Sequence, residues 1–227
     1  MAKPIFDCMK ILVTGATGMV GGEVIREAIK EQSIESVTAL TRKPVDFQYP
    51  KLKNVIHSNF LDYSGISELL SQTDVIIWCL GVPQARVTKE QYRVITVDYT
   101  MAAAQAALAA NPGITFIFVS GAGADSNEKS RITFARFKGE AENKLMKLNF
   151  KKLFIARPAG IQPVRKNPNA PLSYKLFYLL YPLFQLLSPG YVIKSSELAM
   201  ALLNIAKHGA DTTILNNRNL QNLAKVI

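Results

Sequence analysis

Two cysteines, Cys8 and Cys79, are all this chain offers for covalent cross-linking, which excludes a disulfide framework and fits a reducing intracellular setting. The two histidines, His57 and His208, lie far apart in sequence without companion ligands at metal spacing, so no metal site is expected. No apolar run reaches the ~18 uninterrupted residues of a membrane-spanning helix. Met1 to Lys10 also lacks the apolar stretch of a secretion signal, and the expected location is the cytoplasm. Acidic residues are scarce as well: 17 Asp and Glu against 27 Lys and Arg leave a formal charge of +10, a surplus that favours anionic partners. The cations come as scattered pairs (Arg42-Lys43, Lys151-Lys152, Arg165-Lys166) without a basic tail or a recognisable nucleic-acid module, so no nucleic-acid partner is expected. What remains is a globular composition, 48% hydrophobic and 19% charged over 227 residues, enough for one sizeable core.

Short apolar runs alternate with helical patterns along the chain. Lys10 to Thr14, Ser36 to Leu40, Asn54 to His57, Val75 to Leu80, Ile114 to Ser120 and Leu153 to Arg157 read as buried parallel strands. Met19 to Lys30, Ile66 to Gln72, Lys89 to Ala110 and Ile132 to Leu148 read as the helices between them. Such alternation builds right-handed crossovers, hence an α/β fold with a doubly wound parallel sheet and helices on both faces. After Arg157-Pro158 the texture changes: five prolines, from Pro163 to Pro189, interrupt a segment rich in Leu, Tyr and Phe. The expectation is a single domain over residues 1–227 in which 161–227 form a small appended C-terminal lobe.

The sequence Thr14-Gly15-Ala16-Thr17-Gly18-Met19-Val20-Gly21 follows the first strand and opens the first helix. In that position Gly15 permits a tight turn, Gly18 lets the backbone approach a pyrophosphate, and Gly21 allows close helix–strand packing. The helix N-terminus, with Thr17, Met19 and Val20 around it, supplies unpaired N–H groups to the phosphates. About 20 residues on, where an acid would hold a free ribose 2′-hydroxyl, the chain carries Arg42-Lys43, a pair suited to a 2′-phosphate, so NADP(H) is expected in preference to NAD(H).

The GxxGxxG spacing resembles the short-chain dehydrogenase/reductase superfamily, a Rossmann-like family, and further blocks in the family's order carry the resemblance along nearly the whole chain. Asn59-Phe60 resembles the family's adenine contact, and Cys79-Leu80-Gly81 its cofactor-flanking turn. Ser120 to Asp125 follows the fifth strand, Phe134 to Glu142 opens the active-site helix, and Ala156-Arg157-Pro158-Ala159-Gly160 ends the sixth strand. Together they look most like the atypical branch related to Tat-interactive oxidoreductase proteins and NmrA-like regulators. The resemblance implies cofactor contacts at Pro158 and Ala159 and a catalytic Tyr-x-x-x-Lys on the helix, with a serine that polarises the substrate carbonyl. Lys138 keeps its place, Ser120 is the candidate serine, and the tyrosine position is Phe134, which has no transferable proton. Tyr49 to Lys53 repeats the spacing but lies before the third strand and is rejected. Proton transfer is left to Lys138, to another tyrosine such as Tyr92, or to water.

The resemblance implies an oxidoreductase acting on a small carbonyl or alcohol. The alternative is a non-catalytic NADP(H)-binding, redox-sensing regulator, favoured by Phe134. A sugar-nucleotide epimerase or dehydratase ranks third, because the region after the sixth strand is short for its substrate lobe. Residues 172–193 form the most apolar and aromatic stretch, expected to serve as a lid, a subunit contact or a peripheral membrane helix. Trp78 reads as core, Asp62 and Asp98 as solvated or capping residues, and Glu140 and Glu142 as surface partners of Lys144 and Lys147.

Overall fold

The computed structural model describes residues 8–45, 48–165 and 189–226. Of the expectation for 172–193, residues 172–188 lie outside the described residues.

The strands are β1 (Met9–Thr14), β2 (Ile34–Thr41), β3 (Leu52–Ile56), β4 (Val75–Trp78), β5 (Thr115–Val119), β6 (Lys152–Arg157), β7 (Gly160–Gln162), β8 (Val192–Lys194) and β9 (Ile214–Asn216). Seven of them form one parallel sheet in the order β3-β2-β1-β4-β5-β6-β9, while β7 and β8 pair as a small second sheet. Strand order reverses between β1 and β4, which opens the crevice where doubly wound sheets bind ligands.

The two-residue period of each strand divides the core into two layers. Ile11 and Val13 of β1, Val75 and Ile77 of β4, and Ile117 of β5 enter one layer; Leu12, Ile76, Trp78, Phe116 and Phe118 enter the other. The first layer is closed by α1 (Met19–Ala28) and α6 (Ser195–His208). The second is closed by α4 (Tyr99–Ala110) and α5 (Thr133–Met146), with the short α2 (Ser67–Ser71) and α3 (Lys89–Arg93) at its margin.

Two expectations change. Residues from Ser195 onward are not an appendage: Leu198, Leu202 and Ile205 of α6 are buried beside Val24 and Ile25 of α1, and β9 pairs with β6. A last helix, α7 (Asn217–Leu223), follows β9 directly. The helix expected over Lys89 to Ala110 is continuous but not uniformly α: it widens into a π-helical turn at Val94–Asp98. Tyr92 and Val97, five residues apart, are both buried, and the wide turn brings that spacing onto one face.

Candidate functional site

The crevice is built first by close backbone approach. Gly15 adopts φ +67°, and a Cβ there would lie 2.5 Å from the Cys79 carbonyl oxygen. A Cβ on Gly21 would lie 2.4 Å from the Gly15 oxygen, so the helix can dock on the turn only with glycine at this place. Gly18 N–H donates to Gly15 O at 2.8 Å, and the start of α1 has neither a side-chain cap nor an acid in its first turn. Thr17 and Gly18 are exposed and Met19 and Val20 half-buried, which leaves the positive end of the helix open to an anion. Beneath the loop, Thr14 Oγ1 accepts from Cys79 N–H and Leu80 N–H, both at 3.1 Å, and so ties the end of β4 to the end of β1. Gly81 beside them is open to solvent.

The turn after β2 is pinned from below. Thr41 Oγ1 donates to Lys43 O at 2.7 Å, while Asn54 Nδ2 donates to Ala39 O and to Thr41 Oγ1, and Asn54 Oδ1 accepts from Val45 N–H. Arg42 and Lys43 stand exposed on this fixed turn. Asn59 is exposed too, its Oδ1 accepting from Leu61 N–H. Phe60 departs from its expected contact role: it is 2% exposed and packs among His57, Tyr63, Trp78 and Tyr99 in the core. The burial of so large a ring in an aromatic cluster outweighs its place beside Asn59.

At the far side of the crevice, α5 packs hard on the turn after β5. A Cβ on Gly139 would lie 1.8 Å from Asp125 O, and Asp125 N–H donates to Ala135 O at 2.8 Å. Gln84, from the loop after β4, accepts from Phe134 N–H at 3.0 Å. The Phe134 ring lies across Gly121, whose Cβ would meet its Cζ at 2.6 Å. Lys138, one turn along the helix, is 8% exposed, donates from Nζ to Val119 O at 2.9 Å and sits 4.5 Å from the centre of the Phe118 ring. Burial pulls its ammonium from 10.5 to about 8, against the opposing pull of Glu142 and Cys79, and the Cys79 thiol is itself pushed up to about 12 by burial.

Three expectations for this side are corrected. Ser120 does not offer its hydroxyl to a substrate: Oγ donates to Glu142 Oε1 in a buried contact. Glu142 is no surface partner of a lysine; fully buried, it is held by Ser120 and by a two-pronged ion pair with Arg157, whose Nη2 also reaches Ser126 Oγ. Tyr92 is core, 3% exposed against Phe137, with its hydroxyl bonded to Thr96 and its pKa raised by burial. Glu140 does pair with Lys144, and also with Arg93, which reaches Asp98 as well. Asp62 caps a short turn by accepting from Ser64 N–H, and Trp78 is fully buried.

At the end of β6, Pro158 is buried and its carbonyl accepts from Ala122 N–H, while Ala159 N–H donates to Asn217 Oδ1. Asn217 and Gln84 went unnoticed in the sequence, because an isolated amide carries no motif. Arg157 and Glu142 had a signal: a cation ending a buried strand needs an acid on the helix above it.

This glycine cradle at the switch point of a parallel sheet defines a dinucleotide-binding protein of the Rossmann type. Residues 15–156 match the family described as NAD(P)H-binding, and the chain belongs to it. Among curated relatives, the mitochondrial protein FMP52 of Candida albicans is 32% identical over 164 residues, 70% of each chain. HTATIP2 of Rattus norvegicus is 24% identical over 222 residues, covering 95% of this chain and 89% of its own. Among solved structures, Bordetella bronchiseptica WbmH in complex with NAD+ aligns with TM-score 0.67 at 15% identity, over 92% of this chain and 75% of that one. The UDP-glucuronic acid 4-epimerase of Bacillus cereus in complex with NAD gives 0.67 at 17%, over 92% and 78%. At these identities the two structures speak for the fold alone.

Proposed function

We propose that this protein is an NADP(H)-dependent oxidoreductase acting on a small carbonyl or alcohol. The observation that carries the reading is Lys138: a buried amine with its pKa drawn to about 8, fixed on Val119 O at the end of β5, across the crevice from the glycine cradle. The fit to the cofactor rests on the cradle that a Cβ at Gly15 or Gly21 would fill, and on the uncapped helix start beyond it. Gly15, Gly18 and Gly21 with the first turn of α1 hold the pyrophosphate; Arg42, with Lys43, selects the 2′-phosphate. A bound nicotinamide supplies or accepts the hydride. Phe134 gives the substrate an apolar wall and no proton, so among the described residues Lys138 Nζ is the group placed to hold or release one. The proposal includes a reducing compartment, on the strength of free Cys8 and Cys79.

The second reading, a cofactor-binding regulator without turnover, is favoured by one specific observation among the described residues: at the end of β5 and the start of α5, Gly121 and Phe134 carry no hydroxyl and that of Ser120 is engaged by Glu142. Calorimetric titration with NADPH and NADH comes first, alongside Arg42→Ala. NADPH preference that disappears in the variant supports the 2′-phosphate role, and absence of binding by either nucleotide removes the proposal. NADPH consumption with a panel of aldehydes and ketones, lost in Lys138→Ala, then separates enzyme from regulator.

A further inference from the structure

The loop after β4 and the start of α5 meet where Gln84 holds Phe134 N–H. The two segments that meet there, 82–89 and 129–137, contain five cations (Arg86, Lys89, Lys129, Arg131, Arg136) and no acid, which is half of the formal +10 of the chain. Arg86 and Arg131 are exposed, and neither they nor Arg136 makes a salt bridge among the described residues. Arg136 rests its guanidinium on the Phe137 ring, 4.8 Å from the centroid, an arrangement that leaves the edge of the fork available to an anion. Acids flank the two segments: Glu90 follows Lys89, and Glu128 precedes Lys129 and accepts from Asn143 Nδ2, while Asp125 spends its carboxylate on the backbone N–H groups of Asn127, Lys129 and Ser130. Between these cations Ile132 is 65% exposed, and Phe134 is half-buried over Gly121.

We propose that this rim binds the substrate, and that the substrate is an anionic amphiphile: a carboxylate or phosphate joined to an apolar body. The arginine forks take the anion, and Ile132 and Phe134 cover the apolar part. The rim follows β4 and β5, whereas the phosphate cradle and Arg42 follow β1 and β2 on the other side of the switch point, so the cations are not needed by the cofactor's phosphates. This inference rests on the oxidoreductase reading for its placement and names the substrate class of that site.

The test is calorimetric titration of the NADP+-loaded protein with octanoate, octyl phosphate and octanol, repeated with Arg131→Ala and Arg86→Ala. The two anions are expected to bind about tenfold or more tightly than octanol, with affinity falling as salt rises and about tenfold lost in each variant. Carboxylate and phosphate are told apart by which of the two binds better. Equal binding of octanol, no binding of any probe, or unchanged affinity in both variants overturns the proposal. An equal loss of NADP+ affinity in the variants also overturns it, by making the rim part of the cofactor site. If the native protein does not take up NADP+ at all, the oxidoreductase reading fails separately, and the same three probes on the unloaded protein still decide the rim.

Discussion

Lys138 sets up a stability experiment whose sign is fixed in advance. Its ammonium is buried, and burial draws its pKa from 10.5 to about 8. Between those values the unfolded chain still holds a proton that the folded chain has released, so stability rises with pH across the window. The charge therefore costs the fold about 3 kcal/mol below pH 8, a cost that is relieved as the pH approaches 10.5. Lys138→Met removes the charge but also the bond to Val119 O, a loss of about 1 kcal/mol at every pH. The variant is thus expected to be about 2 kcal/mol more stable than the native protein at pH 7 and about 1 kcal/mol less stable near pH 10.5. Urea unfolding of both proteins at half-unit steps from pH 7 to 10.5 reads the difference directly, and native-protein changes from other groups cancel in it. Two curves that run parallel across the window would refute the reasoning, because the amine would then titrate alike in both states.

Other substitutions test the supports of the site. Glu142→Ala leaves the Arg157 guanidinium and the Ser120 hydroxyl without their buried partner, and a loss of about 3–5 kcal/mol in urea unfolding is expected. Gly139→Ala places a methyl within 1.8 Å of Asp125 O, so α5 must move off the turn after β5; a cost of about 1–3 kcal/mol or more should accompany faster amide exchange at Asp125. Gly21→Ala pushes α1 away from Gly15 and should lower NADP(H) affinity by roughly tenfold or more, equivalent to about 1.4 kcal/mol, with far-ultraviolet dichroism unchanged.

The fold is legible in the sequence where burial is two-sided. β1, β4 and β5 are near-continuous apolar runs because each feeds both core layers, and that run length sets them apart from amphipathic helices. β9 escaped notice for the opposite reason: it is a three-residue edge strand, Ile214–Asn216, with one fully buried side chain, Leu215. The helix before it had a readable signature. Leu198, Leu202 and Ile205 recur at helical spacing, Glu197 accepts from Lys194 N–H at the start, and Gly209 closes the end with φ +75°. The prolines upstream interrupt the helical and strand patterns, yet the short parallel β9 after the crossover helix extends the same sheet.

The glycine cradle and the Arg42 turn were legible because they depend on backbone conformation and on spacing from one strand. The chemistry on the other side depends on which way a side chain turns at the end of β5, and the motif alone does not fix that. Ser120 turns to Glu142 because a fully buried carboxylate facing Arg157 has oxygens to satisfy, and the serine hydroxyl is within reach. The next residue, Gly121, is the one under the Phe134 ring. A side chain at 121 and the ring in its present position exclude each other, since a Cβ there lies 2.6 Å from Cζ. The two residues are therefore a matched pair: the ring lies where it does because residue 121 has no side chain. Phe134→Tyr alone returns a phenol over a glycine that has no hydroxyl to meet it, and Gly121→Ser alone forces the ring to swing aside. Turnover in the double variant that exceeds the native rate, with neither single variant exceeding it, would show that the helix lysine and the cradle support tyrosine-based chemistry and that this pair is what separates the native site from it.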